Sequence, residues 1–262
     1  MSKTVLKLAK KEYLTDLGLV IEPNQFTSLV ASTGSGKTTL TMEKLKARSK
    51  LVIILVPTQA KVMELQNEYS GKVALKSEYL FFCANENPDE TIRKFKGIIV
   101  ATYDKFDKII KLMSDSQKKE ALLVIDETHK LYSAGSFRDD ALTPIIWHLQ
   151  KRSIPTSLFL TATKTTELFD QLKIEIDQEI FVKHQNPPVR DIRVTSLPNG
   201  DQYTAIAIIE QKIRELIKSS DSSKGKCGKT IIVRVNSRDK CESFKQYFEQ
   251  RYKLNCIVVH SK

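Results

Sequence analysis

Thr27-Ser28-Leu29-Val30-Ala31-Ser32-Thr33-Gly34-Ser35-Gly36-Lys37-Thr38 decides the fold. Residues 27–31 are an apolar run of strand length, and 37–48 have helical composition, so a glycine-bearing turn sits between a strand and a helix. That is the pattern of a P-loop, and each part has a physical task. The glycines let backbone amides turn inward around a polyphosphate, and the helix N-terminus adds its positive dipole end. Lys37 can reach the terminal phosphates, and the Thr38 hydroxyl can ligate Mg²⁺. Ser32, Thr33, Gly34, Ser35, Gly36, Lys37 and Thr38 are therefore the candidate nucleotide-binding residues.

Outward from this stretch, short apolar runs recur at 51–56, 73–83, 97–101, 122–125, 158–161, 230–235 and 256–259. Helix-like segments separate them at 59–69, 103–113, 139–150, 165–172, 203–218 and 238–251. Continuous apolar strands joined by crossover helices predict a mostly parallel α/β sheet covered on both faces. The prolines and glycine of 184–188 and 197–201 mark a break. They predict a first domain over 1–186, a linker over 187–202 and a partial second domain over 203–262.

The run 122–125 ends in Asp126-Glu127-Thr128-His129, and acids at the C-terminal edge of a strand are where α/β sheets bind ligands. Asp126 could hold the metal ion, and Glu127 could orient and deprotonate an attacking water. Taken with the P-loop, these acids supply a phosphate cradle and a metal-and-water pair, expected on adjacent strand ends. The candidate catalytic residues are Lys37, Asp126 and Glu127, the candidate metal ligands Thr38 and Asp126, and the expected cofactors a nucleoside triphosphate and Mg²⁺.

The 262 residues carry 42 Lys and Arg against 31 Asp and Glu, a formal charge of +11. The excess suits a polyanionic partner or a lysine-rich soluble surface. Cys83, Cys227, Cys241 and Cys256 have no spacing that suggests a disulfide framework or a zinc site. No apolar run approaches the ~20 residues of a membrane span. The expectation is a soluble cytoplasmic protein.

Ala31–Thr38, Asp126-Glu127-Thr128-His129 and Thr161-Ala162-Thr163 together resemble motifs I, II and III of superfamily 2 helicases, in order, with the DExH branch nearest. Val56-Pro57-Thr58-Gln59 resembles motif Ia and Val100-Ala101-Thr102-Tyr103 motif Ib. Segments 230–236, 238–248 and 256–260 resemble the opening of a second RecA-like domain. The resemblance implies a RecA-like P-loop NTPase fold, ATP hydrolysis coupled to nucleic-acid binding, and coupling of nucleotide state to domain movement by His129, Thr161 and Thr163. Thr58, Gln59, Thr102 and Lys105 become the candidates for contact with a DNA or RNA backbone, since hydroxyls, amides and amines at loop–helix junctions suit sugar–phosphate contacts.

Three departures from the family pattern stand out. Gln25 lies too near the P-loop strand to serve as the adenine-reading glutamine of DEAD-box members. Phe26 and Tyr13 are then candidate stacking partners, for each of which core packing is the simpler account. Thr128 stands where alanine is common, a small change. The chain also ends at Lys262, ahead of the family's motifs V and VI, and motif VI carries the arginine finger. The expectation is a fragment, a truncated product or a subunit completed in trans, which binds ATP·Mg, hydrolyses it slowly and does not unwind duplexes. The rival reading is a nucleic-acid-binding or regulatory protein that keeps the fold without a completed catalytic site.

Overall fold

A computed structural model describes residues 2–9, 11–45, 49–70, 78–133, 139–164, 166–185, 202–218, 238–252 and 256. The chain divides into two compact units, 1–189 and 190–262. In the first, the elements run β1 (Ser2–Leu8), β2 (Phe26–Ala31), α1 (Lys37–Thr39), β3 (Leu51–Val56), α2 (Gln59–Ser70), β4 (Tyr79–Phe82), β5 (Gly97–Thr102), α3 (Phe106–Leu112), α4 (Asp115–Glu120), β6 (Ala121–Ile125), α5 (Lys130–Ser133), α6 (Asp139–Gln150), β7 (Thr156–Thr161), α7 (Thr166–Gln171) and β8 (Gln178–His184).

The eight strands form one sheet in the order β1-β8-β2-β7-β6-β3-β5-β4. All seven pairings are parallel. Alternation along each strand divides the core into two layers. Leu51, Ile53 and Leu55 of β3, with Leu123 and Ile125 of β6, pack under Phe106, Ile109, Leu131, Ile145 and Phe169 from α3, α5, α6 and α7. Val52, Ile54 and Val56, with Leu122 and Val124, face Leu40, Val62 and Leu65 from the P-loop helix and α2. Every residue of β3, β5 and β6 is buried. The α/β reading and its parallel, doubly covered sheet are thereby met.

Several boundaries differ from expectation. β1 and β8 are not among the expected strands, because polar residues break their apolar runs. The strand expected over 73–83 is seen over Tyr79–Phe82, and 71–77 lie outside the described residues. The helix after the P-loop is α-helical only over Lys37–Thr39 and widens into a π-helix over Leu40–Lys44. Hydrophobic spacing over so few residues does not separate the two forms.

In the second unit, α8 (Gln202–Lys218) and α9 (Arg238–Tyr252) are described. They share a small core of Ile213, Phe244 and Phe248, with Ile206, Ile209 and Tyr247 packed against it. The strands expected over 230–235 and 256–259 lie outside the described residues, apart from Cys256.

Candidate nucleotide and nucleic-acid site

The loop after β2 turns on Gly34 (φ 80°) and Gly36 (φ 88°), both in the left-handed region that glycine adopts without strain. Gly36 is also crowded: a Cβ there would lie 3.2 Å from the Tyr13 Cβ. Tyr13 belongs to a short segment docked on the loop, where the Leu14 amide donates to the Ser35 carbonyl at 2.9 Å. Lys37 folds back over the loop and donates its ammonium to the carbonyls of Ala31 (2.7 Å) and Ser32 (3.0 Å). Ser32, Thr33 and Gly34 are exposed, and Thr38 is half-buried. The Ser35 hydroxyl is buried and has no hydrogen-bond partner among the described residues. An orphaned donor inside a ring of loop amides fits a polyanion, whose oxygens would supply the missing acceptors.

The acids lie at the same sheet edge. β6 ends at Ile125 and the chain turns through Asp126–His129 into α5. They are not on the strand adjacent to the P-loop strand, as expected from sequence, because β7 is inserted between β2 and β6. Two inter-strand spacings, ~10 Å, therefore separate the two strand ends, and Lys37 and the acids act on one another across that gap through their charges. Burial holds the Lys37 ammonium below the ordinary lysine value, while Glu127 and then Asp126 pull it upward. Burial, then the Glu127 charge, raise the Asp126 carboxyl above the usual range, opposed by the Glu127 amide, Lys37 and Lys61. Lys37 and the two acids thus form one electrostatic cluster.

Glu127 holds a left-handed backbone, φ 50°, unusual for a residue with a Cβ. His129 Nδ1 lies 3.3 Å from Glu127 Oε2, an ion-pair distance without hydrogen-bond alignment. At the end of β7, the Thr161 hydroxyl donates to the Thr163 carbonyl at 3.0 Å and accepts from the Thr163 amide at 3.1 Å. The two threonines are joined to each other, and no hydrogen bond among the described residues joins His129 to either of them. The link runs instead through Thr128, whose amide donates to Leu160 of β7 at 2.9 Å.

Thr38 and Asp126 offer a hydroxyl and a carboxylate oxygen, hard donors suited to Mg²⁺. Among the described residues no group of three or more His, Cys, Asp or Glu could hold a metal alone.

The nucleic-acid candidates separate. Thr58 and Gln59 are exposed at the start of α2, with the Thr58 hydroxyl accepting from the Lys61 amide at 3.3 Å. Thr102 and Lys105 are 4% and 7% exposed. The Lys105 ammonium donates to the Ala84 carbonyl at 2.7 Å and lies 3.7 Å from Asp104. In this arrangement both are buried, and the Lys105 ammonium is turned to the Ala84 carbonyl. Phe26 is likewise core, 1% exposed and set edge-on to Phe159 at 5.5 Å. Tyr13 is 53% exposed beside the P-loop. Two residues near the acids carry no signal in the sequence: Lys61, two residues beyond the motif Ia segment, whose charge reaches Asp126, and Tyr103, whose hydroxyl donates to the Asp126 carbonyl. A tyrosine directly after Thr102 gave no signal of its own, because only the tertiary fold brings it under the acids.

The sequence model of the family described as "DEAD/DEAH box helicase" matches residues 14–171, more than half of the chain. The chain is 22% identical over 247 residues to "Putative helicase 7" of the Sulfolobus islandicus filamentous virus (isolate Iceland/Hveragerdi), covering 89% of this chain and 38% of that protein. It is 26% identical over 141 residues to the ATP-dependent DNA helicase Hel308 of Aeropyrum pernix, covering 50% of this chain and 18% of that one. The chain therefore spans well under half the length of these relatives. In fold it is similar to the crystal structure of the DUF1998 helicase MrfA, with a TM-score of 0.60, 18% identity and coverage of 87% of this chain and 36% of that chain. No helix among the described residues is long and apolar enough to cross a membrane.

Proposed function

The chain belongs to the DEAD/DEAH box helicase family, and we propose that it is the ATP-hydrolysing core of a nucleic-acid-dependent helicase or translocase. The observation that carries the reading is the cluster of Lys37, Asp126 and Glu127, each within electrostatic reach of the others across the end of β7. A cation that can enter phosphate, beside one carboxylate for a metal and a second for water, is the minimum set for γ-phosphate hydrolysis.

On this reading the amides of Gly34 to Thr38 hold the polyphosphate. Lys37 leaves the carbonyls of Ala31 and Ser32 to pair with it. Ser35 gains the acceptor it lacks. Thr38 and Asp126 would hold Mg²⁺, which when bound neutralises phosphate charge. Glu127 orients a water and takes its proton, with the His129 ring 3.3 Å from its carboxylate. Tyr13, exposed beside Gly36, offers its ring face to the base. Thr58 and Gln59 contact the nucleic-acid backbone, and His129, Thr161 and Thr163 relay nucleotide state.

The test is nucleic-acid-dependent ATP turnover by the purified chain at low salt, with single-stranded DNA and RNA in separate arms. Turnover that rises with one polymer and loses that rise in Thr58→Ala/Gln59→Ala supports the reading. Turnover indifferent to both polymers contradicts the nucleic-acid part. ATP binding without any turnover points to a binding or regulatory protein on a helicase fold.

A further inference from the structure

We infer that Tyr103 and Thr128 are positioning residues that clamp the turn carrying Asp126 and Glu127 to the sheet on both sides. The inference rests on the proposed catalytic role of those two acids. Glu127 sits in a left-handed conformation that a residue with a side chain disfavours, and such a backbone persists only where its surroundings fix it. Three contacts do so here. The Asp126 amide donates to Leu55 of β3 at 2.9 Å. Tyr103, 4% exposed at the end of β5, reaches across β3 so that its hydroxyl donates to the Asp126 carbonyl and lies 3.4 Å from the Glu127 carbonyl. Thr128, fully buried, sets its hydroxyl 3.2 Å from the Ile125 carbonyl and 3.1 Å from the Leu160 carbonyl, while its amide donates to Leu160 at 2.9 Å.

The neighbours of these residues give the clamp its consequence. Tyr103 directly follows Thr102, in the segment that resembles motif Ib, and Leu160 directly precedes Thr161. A shift of the loop after β5, or of the end of β7, is therefore carried by hydrogen bonds into the backbone of the acids. Thr128, at a position where alanine is common, adds a bond to β7 that alanine has no atom to make.

Tyr103→Phe and Thr128→Val each remove one hydroxyl and keep the shape. Each is expected to lower kcat for ATP hydrolysis on the order of 5–10-fold, the effect of one lost buried hydrogen bond expressed at the reacting group. ATP affinity should stay within about twofold of wild type, because the P-loop is untouched, and Thr128→Ser should restore kcat. Unchanged kcat in both variants, or a loss confined to ATP affinity, overturns the clamp. Amide exchange separates this claim from the catalytic reading. The amides of Thr128 and Lys130, which donate to Leu160 at 2.9 Å and Glu127 at 2.7 Å, should exchange about tenfold faster in both variants, with β3 amides unchanged as the control for folding. Wild-type exchange at Thr128 and Lys130 overturns the clamp even if the chain never hydrolyses ATP. A silent wild type matched by Glu127→Gln overturns the catalytic reading, and the exchange result then decides the clamp alone.

Discussion

Replacing Asp177 by alanine should cost the first unit a measurable part of its stability, although this residue lies at the opposite end of the strands from the acids. The Asp177 carboxylate accepts the Phe26 amide at 2.7 Å. It also takes a forked pair of bonds from Arg152, at 2.9 and 3.1 Å. The Arg152 guanidinium lies 4.5 Å from the centre of the Phe26 ring. Removing the carboxylate leaves the amide of a buried residue without its acceptor, about 1–3 kcal/mol. The ion pair is about a third exposed (33% and 36%), so solvent screening limits it to roughly 1 kcal/mol or less. The total, about 1–4 kcal/mol, corresponds to a fall in Tm of roughly 2–16 °C for a unit of this size. Far-UV circular dichroism melts at pH 7 measure it, and Asp177→Asn should recover much of the loss by keeping an acceptor for Phe26. The pH dependence has a definite sign. Burial raises the Asp177 carboxyl, but the Arg152 hydrogen bonds, the Phe26 amide and the Arg152 charge outweigh it and hold the group below the usual range. The contribution is thus complete above the ordinary carboxyl value near ~4 and is lost as pH falls through the lower folded value. The gap between wild type and Asp177→Ala should close in acid. A Tm within about 1 °C of wild type at pH 7, or a gap that widens in acid, refutes the reasoning.

Asp126→Asn should raise Tm at neutral pH while abolishing hydrolysis. Burial and Glu127 raise the Asp126 carboxyl, so its ionised form opposes folding above that value, and the amide removes the charge; an unchanged or lower Tm contradicts this. Gly36→Ala places a Cβ 3.2 Å from Tyr13 at φ 88°, and should weaken ATP binding by roughly tenfold or more with only a few degrees lost in Tm, read by fluorescent-nucleotide titration. Gly97→Ala would set a Cβ 2.4 Å from the Glu78 carbonyl, and should lower Tm by several degrees, about 1–3 kcal/mol, without a specific effect on nucleotide affinity. If the +11 charge serves a phosphate backbone, log affinity for single-stranded nucleic acid should fall linearly with log salt; a flat response excludes a backbone-driven interaction.

What could be read ahead of the structure follows from how each strand is buried. The runs of β3, β5, β6 and β7 are apolar because both faces are covered, so they stand out without a partner being known. β1, Ser-Lys-Thr-Val-Leu-Lys-Leu, is an edge strand with an alternating surface, and β8 carries the buried Glu179, so neither forms such a run. Strand order was equally hidden: apolar runs do not say which strand lies between β2 and β6, and β7 does. The P-loop turn and the acids Asp126-Glu127 at a strand end were legible as a candidate site because such a pattern depends on residue type at fixed local spacing. Lys105 was not, since a lysine in sequence looks solvated, and only the fold reveals the Ala84 carbonyl that holds its ammonium. The contacts of Tyr103 and Thr128 were hidden for the same reason: their partners, Asp126 and Leu160, are 23 and 32 residues away, so the sequence marks Thr128 only as a small change from alanine.

The most direct test of the account is steady-state ATP hydrolysis by wild type, Lys37→Ala and Glu127→Gln, with ATP binding measured in parallel on the same preparations. The account predicts turnover in wild type, loss of both binding and turnover in Lys37→Ala, and loss of turnover with binding retained in Glu127→Gln. ATP binding that survives Lys37→Ala, or turnover that survives Glu127→Gln, would contradict the assignment of Lys37 to phosphate and Glu127 to water.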